Sequence, residues 1–185
     1  WTLFSGSTNS AMTALVDNKN LLLKAKLPKQ TFVLSRIYTA LTNFGYTCIA
    51  YVFMLIIFRI KLTWTMLLFP LDVILALLFA TGIGHVLAIL YVFFADIKYL
   101  YSVLLTMLLY MSAIFYPVTS LPPVLQKIIG YNPVYMSIYI ARETVVYNHM
   151  PHYTAWLKLA LSAAVSLAIG IYVFKKKEND VMQRV

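Results

Sequence analysis

Residues Leu67–Phe94, LLFPLDVILALLFATGIGHVLAILYVFF, decide the fold. The run holds one acid, Asp72, and one histidine, His85, with no Lys or Arg, and it shows no alternation of apolar and polar positions. A helix needs about 20 apolar residues to cross about 30 Å of hydrocarbon, and this run exceeds that. In lipid every backbone amide must be paired within the protein, which leaves helices or closed barrels. Without a period of two, the run is a helix.

Working outward, Phe32–Phe58, Ile97–Tyr116 and Tyr153–Phe174 are further runs long enough to span. Trp1–Val16 is shorter and richer in Ser and Thr, and reads as the end of another helix. The chain opens there in mid-pattern, with no initiator Met, basic leader or cleavage site, so residues 1–185 are expected to form one N-terminally incomplete domain. The fold class is all-α, a polytopic transmembrane helix bundle.

Composition agrees with that class. The chain is 62% hydrophobic and 11% charged, with a mean hydropathy of +0.80, whereas a soluble domain is about 25% charged. Soluble and secreted classes are excluded. Cys48 is the single cysteine and sits in an apolar run, which excludes a disulfide framework or thiolate metal site and leaves it a packing role. The six acids are scattered apart from the tail, with no HExxH, no Ser-His-acid grouping and no GxxxxGKS or GxxxxGKT loop. No catalytic residue, metal site or cofactor is therefore expected in this chain, and any nucleotide hydrolysis belongs to another.

Orientation follows the cations, because short loops rich in Lys and Arg stay in the cytoplasm. The tail 175–185, opening Lys175-Lys176-Lys177, puts the C-terminus inside. Alternation then places Asp17–Arg36 and Asp96–Lys98 inside, with Arg59–Trp64 and Pro117–His152 outside. Ten of the fifteen cations (Lys19, Lys24, Lys26, Lys29, Arg36, Lys98, Lys175, Lys176, Lys177, Arg184) fall inside, against Arg59, Lys61, Lys127, Arg142 and Lys158. The net charge of +9 is thus mostly topological and gives no reason to invoke nucleic acid.

The outer connection 117–152 is too long and apolar for a plain loop. Ser120 is placed to cap a short helix over Leu121–Ile129, which Gly130 ends, and Asn132-Pro133 has the cap-then-proline pattern of a second start. That second helix, Pro133–Tyr147, carries Arg142 and Glu143 near its end and is too short to span comfortably. An outer-side re-entrant helical hairpin follows, the alternative being one crossing helix with a broken start. Tyr131, Tyr135 and Tyr139 recur every four residues and mark its inner face. Trp64 and Trp156 are belt residues at the outer surface.

Ala76, Ala80, Gly84 and Ala88 form a stripe of small side chains along one helix face, and Ala160, Ala164 and Ala168 repeat it on the last helix. Such stripes let helix backbones approach closely in lipid. His85 has Thr81 one turn before it and is expected to hydrogen-bond there or to a neighbouring helix; a transport role is the alternative. Asp72 is expected at the outer headgroup level or paired with Arg59 or Lys61.

The inner segment 17–31 reads as a short helix. Asp17 and Asn18 are capping residues, Leu21–Lys26 makes about two turns, and Pro28 disfavours helix at Leu27. Its leucines and lysines suit either a protein partner or anionic membrane lipid.

With these elements in order, the sequence resembles the permeases of type-2 ATP-binding-cassette exporters, specifically the polysaccharide, O-antigen and teichoic acid group. Three features carry the resemblance: Trp1-Thr2-Leu3-Phe4-Ser5 leading to Asn20-Leu21-Leu22-Leu23-Lys24 and Pro28; Tyr116-Pro117 followed by Leu121-Pro122; and Asn132-Pro133 followed by Arg142. It departs from the family pattern at Ala95-Asp96, where Arg-Asp is frequent.

The resemblance implies that Asn20, Leu21, Leu22, Lys24, Lys26 and Pro28 belong to a coupling helix that docks on an ATPase subunit, with Asp96–Lys98 as a smaller second contact. It implies a homodimer of permeases with two ATPases that hold ATP and Mg, in the bacterial cytoplasmic membrane. The cargo would be a lipid-linked glycan or polyol phosphate polymer on polyprenyl pyrophosphate. Pro117, Pro122, Asn132, Pro133 and Arg142 would belong to an outer gate hairpin. Phe4, Tyr110, Phe115 and Tyr116 are the channel-lining candidates, since sugar rings slide over flat aromatic faces. A permease for a small drug or lipid is the near alternative. A secondary transporter would need discontinuous helices and a coupling-ion site near the midplane, whereas here the only broken segment lies on the outer side and midplane acids are missing; a membrane enzyme would need clustered acids.

Overall fold

The computed structural model describes residues 1–24, 28–58 and 63–184, without the side chains of residues 23 and 182–184. Lys26, Arg59 and Lys61, singled out above, lie outside the described residues. Eight α-helices run in chain order among them: α1 Thr2–Asp17, α2 Lys19–Lys24, α3 Gln30–Ile57, α4 Phe69–Phe93, α5 Ile97–Met111, α6 Pro123–Ile129, α7 Pro133–Ala141 and α8 Tyr153–Arg184. A 3-10 turn, Trp64–Leu68, leads into α4, and a π-helical turn, Arg142–Val146, extends α7. Among the described residues, three helices are long and apolar enough to cross a membrane: α3, α4 with its 3-10 turn, and α8.

The bundle is organised around α1 and α4. α1 buries Leu3, Phe4, Ser7, Thr8, Ala11, Met12, Ala14 and Leu15 between α3 and α4. Thr8 Oγ1 donates to the Phe4 carbonyl at 2.9 Å and Ser5 Oγ to the Trp1 carbonyl at 3.1 Å, so these two hydroxyls are satisfied within the helix, whereas buried Ser7 Oγ has no hydrogen-bond partner among the described residues. Asn18 closes the far end of α1 by donating to the Ala14 carbonyl at 2.8 Å. Asp17 accepts from Thr13 at 2.8 Å and Arg36 at 3.2 Å. The sequence placed both residues as caps starting the next helix; the structure spends them on the preceding one, whose last carbonyls and turn lie within their reach.

α4 and α8 cross at closest approach over glycines. A Cβ at Gly82 would overlap the backbone of Ser166, and one at Gly170 would overlap the Gly82 carbonyl. Ala80, Gly84 and Ala88 are buried, as a packing stripe requires. Ala160, Ala164 and Ala168 instead lie exposed, and α8 turns Ala163, Ser166 and Gly170 inward. Four-residue spacing identifies a face without saying which neighbour it meets.

α5 is shorter than its apolar run. Its 15 residues, at about 1.5 Å each, span about 22 Å against about 30 Å of hydrocarbon. Ser112 ends the helix and Ala113 takes a left-handed φ of 47°, so the chain turns well before Tyr116. The tail also differs from a loose extension, because α8 is one 32-residue helix that runs through Lys175–Lys177.

Long-range polar contacts join the chain at both ends of the bundle, while Ser166 Oγ donates to the Phe79 carbonyl at 3.2 Å and the Tyr101 hydroxyl to Thr8 Oγ1 at 2.7 Å within it. Arg36 pairs with Asp17 at 3.2 Å and Lys29 with Glu178 at 3.8 Å at one end. At the other, Thr65 Oγ1 donates to the Thr144 carbonyl at 2.9 Å and Ser137 Oγ to Asp72 at 3.1 Å. Between them lie three apolar clusters. The partners joined at each end are those that alternating spans would put on the same side.

Candidate functional site

At the Asp17–Arg36 end, α2 presents two different faces. Leu22 is only 4% exposed and shares a buried cluster with Leu15, Val33, Ile37, Phe174 and Val181. Leu21 is 58% exposed, and Lys19, Asn20, Lys24 and Pro28 point outward with it. Of the residues proposed for coupling, Leu22 is therefore an anchor and is unavailable to a partner. Asp96 and Lys98 are exposed at the turn between α4 and α5.

At the opposite end, α6 and α7 are joined by the turn 130–132. Asn132 caps α7 as its sequence demands, its Oδ1 accepting from the Val134 amide at 3.0 Å, while its Nδ2 donates to Ser112 Oγ at 3.2 Å. Arg142 Nη2 donates to the Ile114 carbonyl at 3.3 Å. Asn132 and Arg142, ten positions apart, thus hold the same turn after α5. Lys158 on α8 fixes the tip, its Nζ donating to the Gly130 carbonyl at 3.1 Å and lying 4.5 Å from the Tyr131 ring centroid. Pro133 starts α7, and Pro122 caps α6 with Pro123 in its first turn. Ser120, read as that cap, sits instead in a 3-10 turn, Val118–Ser120, that follows the extended Pro117. Tyr131 lies in the turn and is 76% exposed, so only Tyr135 and Tyr139, 6.2 Å apart, share the helix.

A cavity of about 340 Å³ opens among α1, α3, α4 and α7. Phe4 lines it, stacked on Phe79 at 5.6 Å. Tyr110, Phe115 and Tyr116 do not join Phe4 there. Tyr110 and Phe115 are exposed at the end of α5 and just beyond, and the Tyr116 hydroxyl donates back to the Tyr110 carbonyl at 2.6 Å. The same cavity meets Asp72, Ser137 and Arg142. Asp72, in the first turn of α4, is 2% exposed and accepts from Ser137 Oγ at 3.1 Å. Ser137 was missed by sequence reading; a lone hydroxyl between Tyr135 and Tyr139 on an apolar segment was the available signal. Phe79 carried no signal, because one phenylalanine in an apolar run looks like any other.

His85 is 3% exposed, with Nδ1 2.8 Å from the Thr81 carbonyl and its ring edge-on to Phe174 at 5.2 Å. Its hydrogen bond therefore goes to the backbone of Thr81, one of the two partners expected for it. No cluster of three or more potential metal ligands occurs among the described residues.

Helices long and apolar enough to cross a membrane, packed on one another through apolar clusters, define a multi-pass membrane protein. Residues 1–146 match the family model of ABC-2 type transporters, and the chain belongs to that family. It is similar along its whole length to the O-antigen export system permease protein RfbA of Myxococcus xanthus, 24% identical over 188 residues that cover 100% of this chain and 72% of that protein. The chain is a permease subunit of an ABC exporter.

Proposed function

We propose that this permease moves a polyprenyl-pyrophosphate-linked polysaccharide, of the O-antigen or teichoic acid kind, out across the bacterial cytoplasmic membrane. The observation that carries this reading is the similarity to an O-antigen export permease over the entire chain. ATP and Mg would be held by a partner ATP-binding-cassette ATPase, and two permeases would form the channel. The outward face of α2, with Lys19, Asn20, Leu21, Lys24 and Pro28, supports docking of that ATPase, because a short helix anchored by one leucine moves as a unit when pushed. The excess of cations at the α2 end supports a cytoplasmic location for it and for the C-terminus.

ATP drives transport only by favouring one arrangement over another. In this reading ATPase closure displaces α2, the bundle shifts, and the α6–α7 hairpin opens the outer side. Exposed Tyr110 and Phe115 suit contact with sugar rings through their faces. The test is reconstitution with the partner ATPase in vesicles and measurement of ATP-dependent transfer of a lipid-linked oligosaccharide to the far side. Transfer supports the reading. ATP hydrolysis stimulated by a free lipid or small amphiphile, with no glycan transfer, replaces it with a drug or lipid exporter.

A further inference from the structure

The last turns of α8 fasten the chain on both sides of α2. Lys29, just ahead of α3, reaches α8 and donates from Nζ to the Glu178 carbonyl at 2.9 Å, with Glu178 Oε1 at 3.8 Å. Both side chains are shielded, at 17% and 32% exposure, so this contact is unlike a solvated surface pair, which contributes little. Phe174 and Val181 of α8 share one buried cluster with Leu22 of α2 and Leu15 of α1.

α8 is also fastened at its other end. Ala155 and Leu159 share a buried cluster with Met136 and Ile140 of α7, and Lys158 holds the Gly130 carbonyl. Between these attachments α8 is a single 32-residue helix, about 48 Å long at about 1.5 Å per residue. It joins the α2 end of the bundle to the hairpin without a break.

We propose that Lys29 and Glu178 form a clasp that ties the start of α3 to α8 beside the Leu22 anchor of α2, so that displacement of α2 is delivered along α8 to the α6–α7 hairpin. Both are positioning residues: they touch neither nucleotide nor cargo, and they set how much of the movement of α2 reaches the far side. The inference rests on the reading of α2 as the ATPase-docking helix.

The test uses the whole chain with its ATPase in vesicles and compares Lys29→Glu, Glu178→Lys and the double swap. Three quantities are read: ATPase retained, ATP hydrolysed, and cargo exported per ATP. Each single variant is expected to retain a working ATPase while export per ATP falls severalfold, and the swap is expected to recover most of it. A second arm places Lys29→Cys and Glu178→Cys in a Cys48→Ser background and closes the pair with a short bifunctional thiol reagent. Closure is expected to raise export per ATP in one and the same preparation. Single variants that export as the parent does, a swap no better than the singles, or closure without effect would each overturn the clasp. An unmodified chain that retains no ATPase overturns the docking reading, and the clasp with it, before any variant is compared.

Discussion

Gly82 and Gly170 set how closely α4 and α8 approach. In an open helical position Gly→Ala stabilises by about 0.5–1 kcal/mol, and nothing stands within 4 Å of a Cβ built at Gly45. At Gly82 the added carbon meets the backbone of Ser166, which cannot rotate away, and overpacking of that kind costs about 1–3 kcal/mol. Gly82→Ala should therefore unfold at lower temperature than the parent in detergent, and Gly45→Ala at the same or a higher one, followed by tryptophan fluorescence. Equal midpoints for the two variants would refute the crossing. A second residue-scale prediction concerns the Tyr101 hydroxyl, which donates to Thr8 Oγ1 at 2.7 Å and is buried between α5 and α1. Interhelical hydrogen bonds in membranes average about 0.6 kcal/mol. A double-mutant cycle of Tyr101→Phe with Thr8→Val should return a coupling of about that size, and zero coupling would remove the contact. The alanine stripe of α4 was legible because its spacing fixed a face and that face is central. The stripe of α8 misled, because the phase of α8 is set by Gly170 and Ser166, whose partner Gly82 is far away in sequence.

At the scale of elements, α7 depends on its cap. Asn132 Oδ1 satisfies an amide that would otherwise lack a partner, and loss of such a cap costs about 1 kcal/mol. Asn132→Ala should speed hydrogen exchange at the start of α7 while leaving α4 and α8 protected, and Asn132→Asp should restore slow exchange. Unchanged exchange in Asn132→Ala would show that the cap contributes nothing. This start was readable because capping is local: an amide, a side chain and a proline within three residues. The end of α5 was not, because Met111–Tyr116 stays apolar while Ala113 turns the chain at φ 47°, and hydropathy does not register a backbone reversal. The helical continuation of the tail was hidden for the converse reason. Lys175–Lys177 read as the end of a span, yet charge ends only the hydrophobic part of a helix; Lys177 goes on to pair with Asp180 at 2.9 Å inside it.

For the whole molecule, the proposed function has one end of the bundle receive the ATPase and the other control release of the cargo. Both ends were visible in the charge pattern and in the short helices of the sequence. What joins them was not, since α4 meets α8 and Lys29 meets Glu178 across separations that no local pattern reports. The division of α2 into an anchored Leu22 and an exposed Leu21, Lys19 and Lys24 likewise came only from packing. The most direct test of the central claim is co-purification of the partner ATPase with the permease carrying Lys24→Glu together with Lys26→Glu, set beside the parent and a Tyr110→Ala control. The parent and the control should retain the ATPase, and the charge-reversed chain should lose it while still eluting as folded protein. Retention of the ATPase by the charge-reversed chain would contradict the assignment of α2 as the docking element.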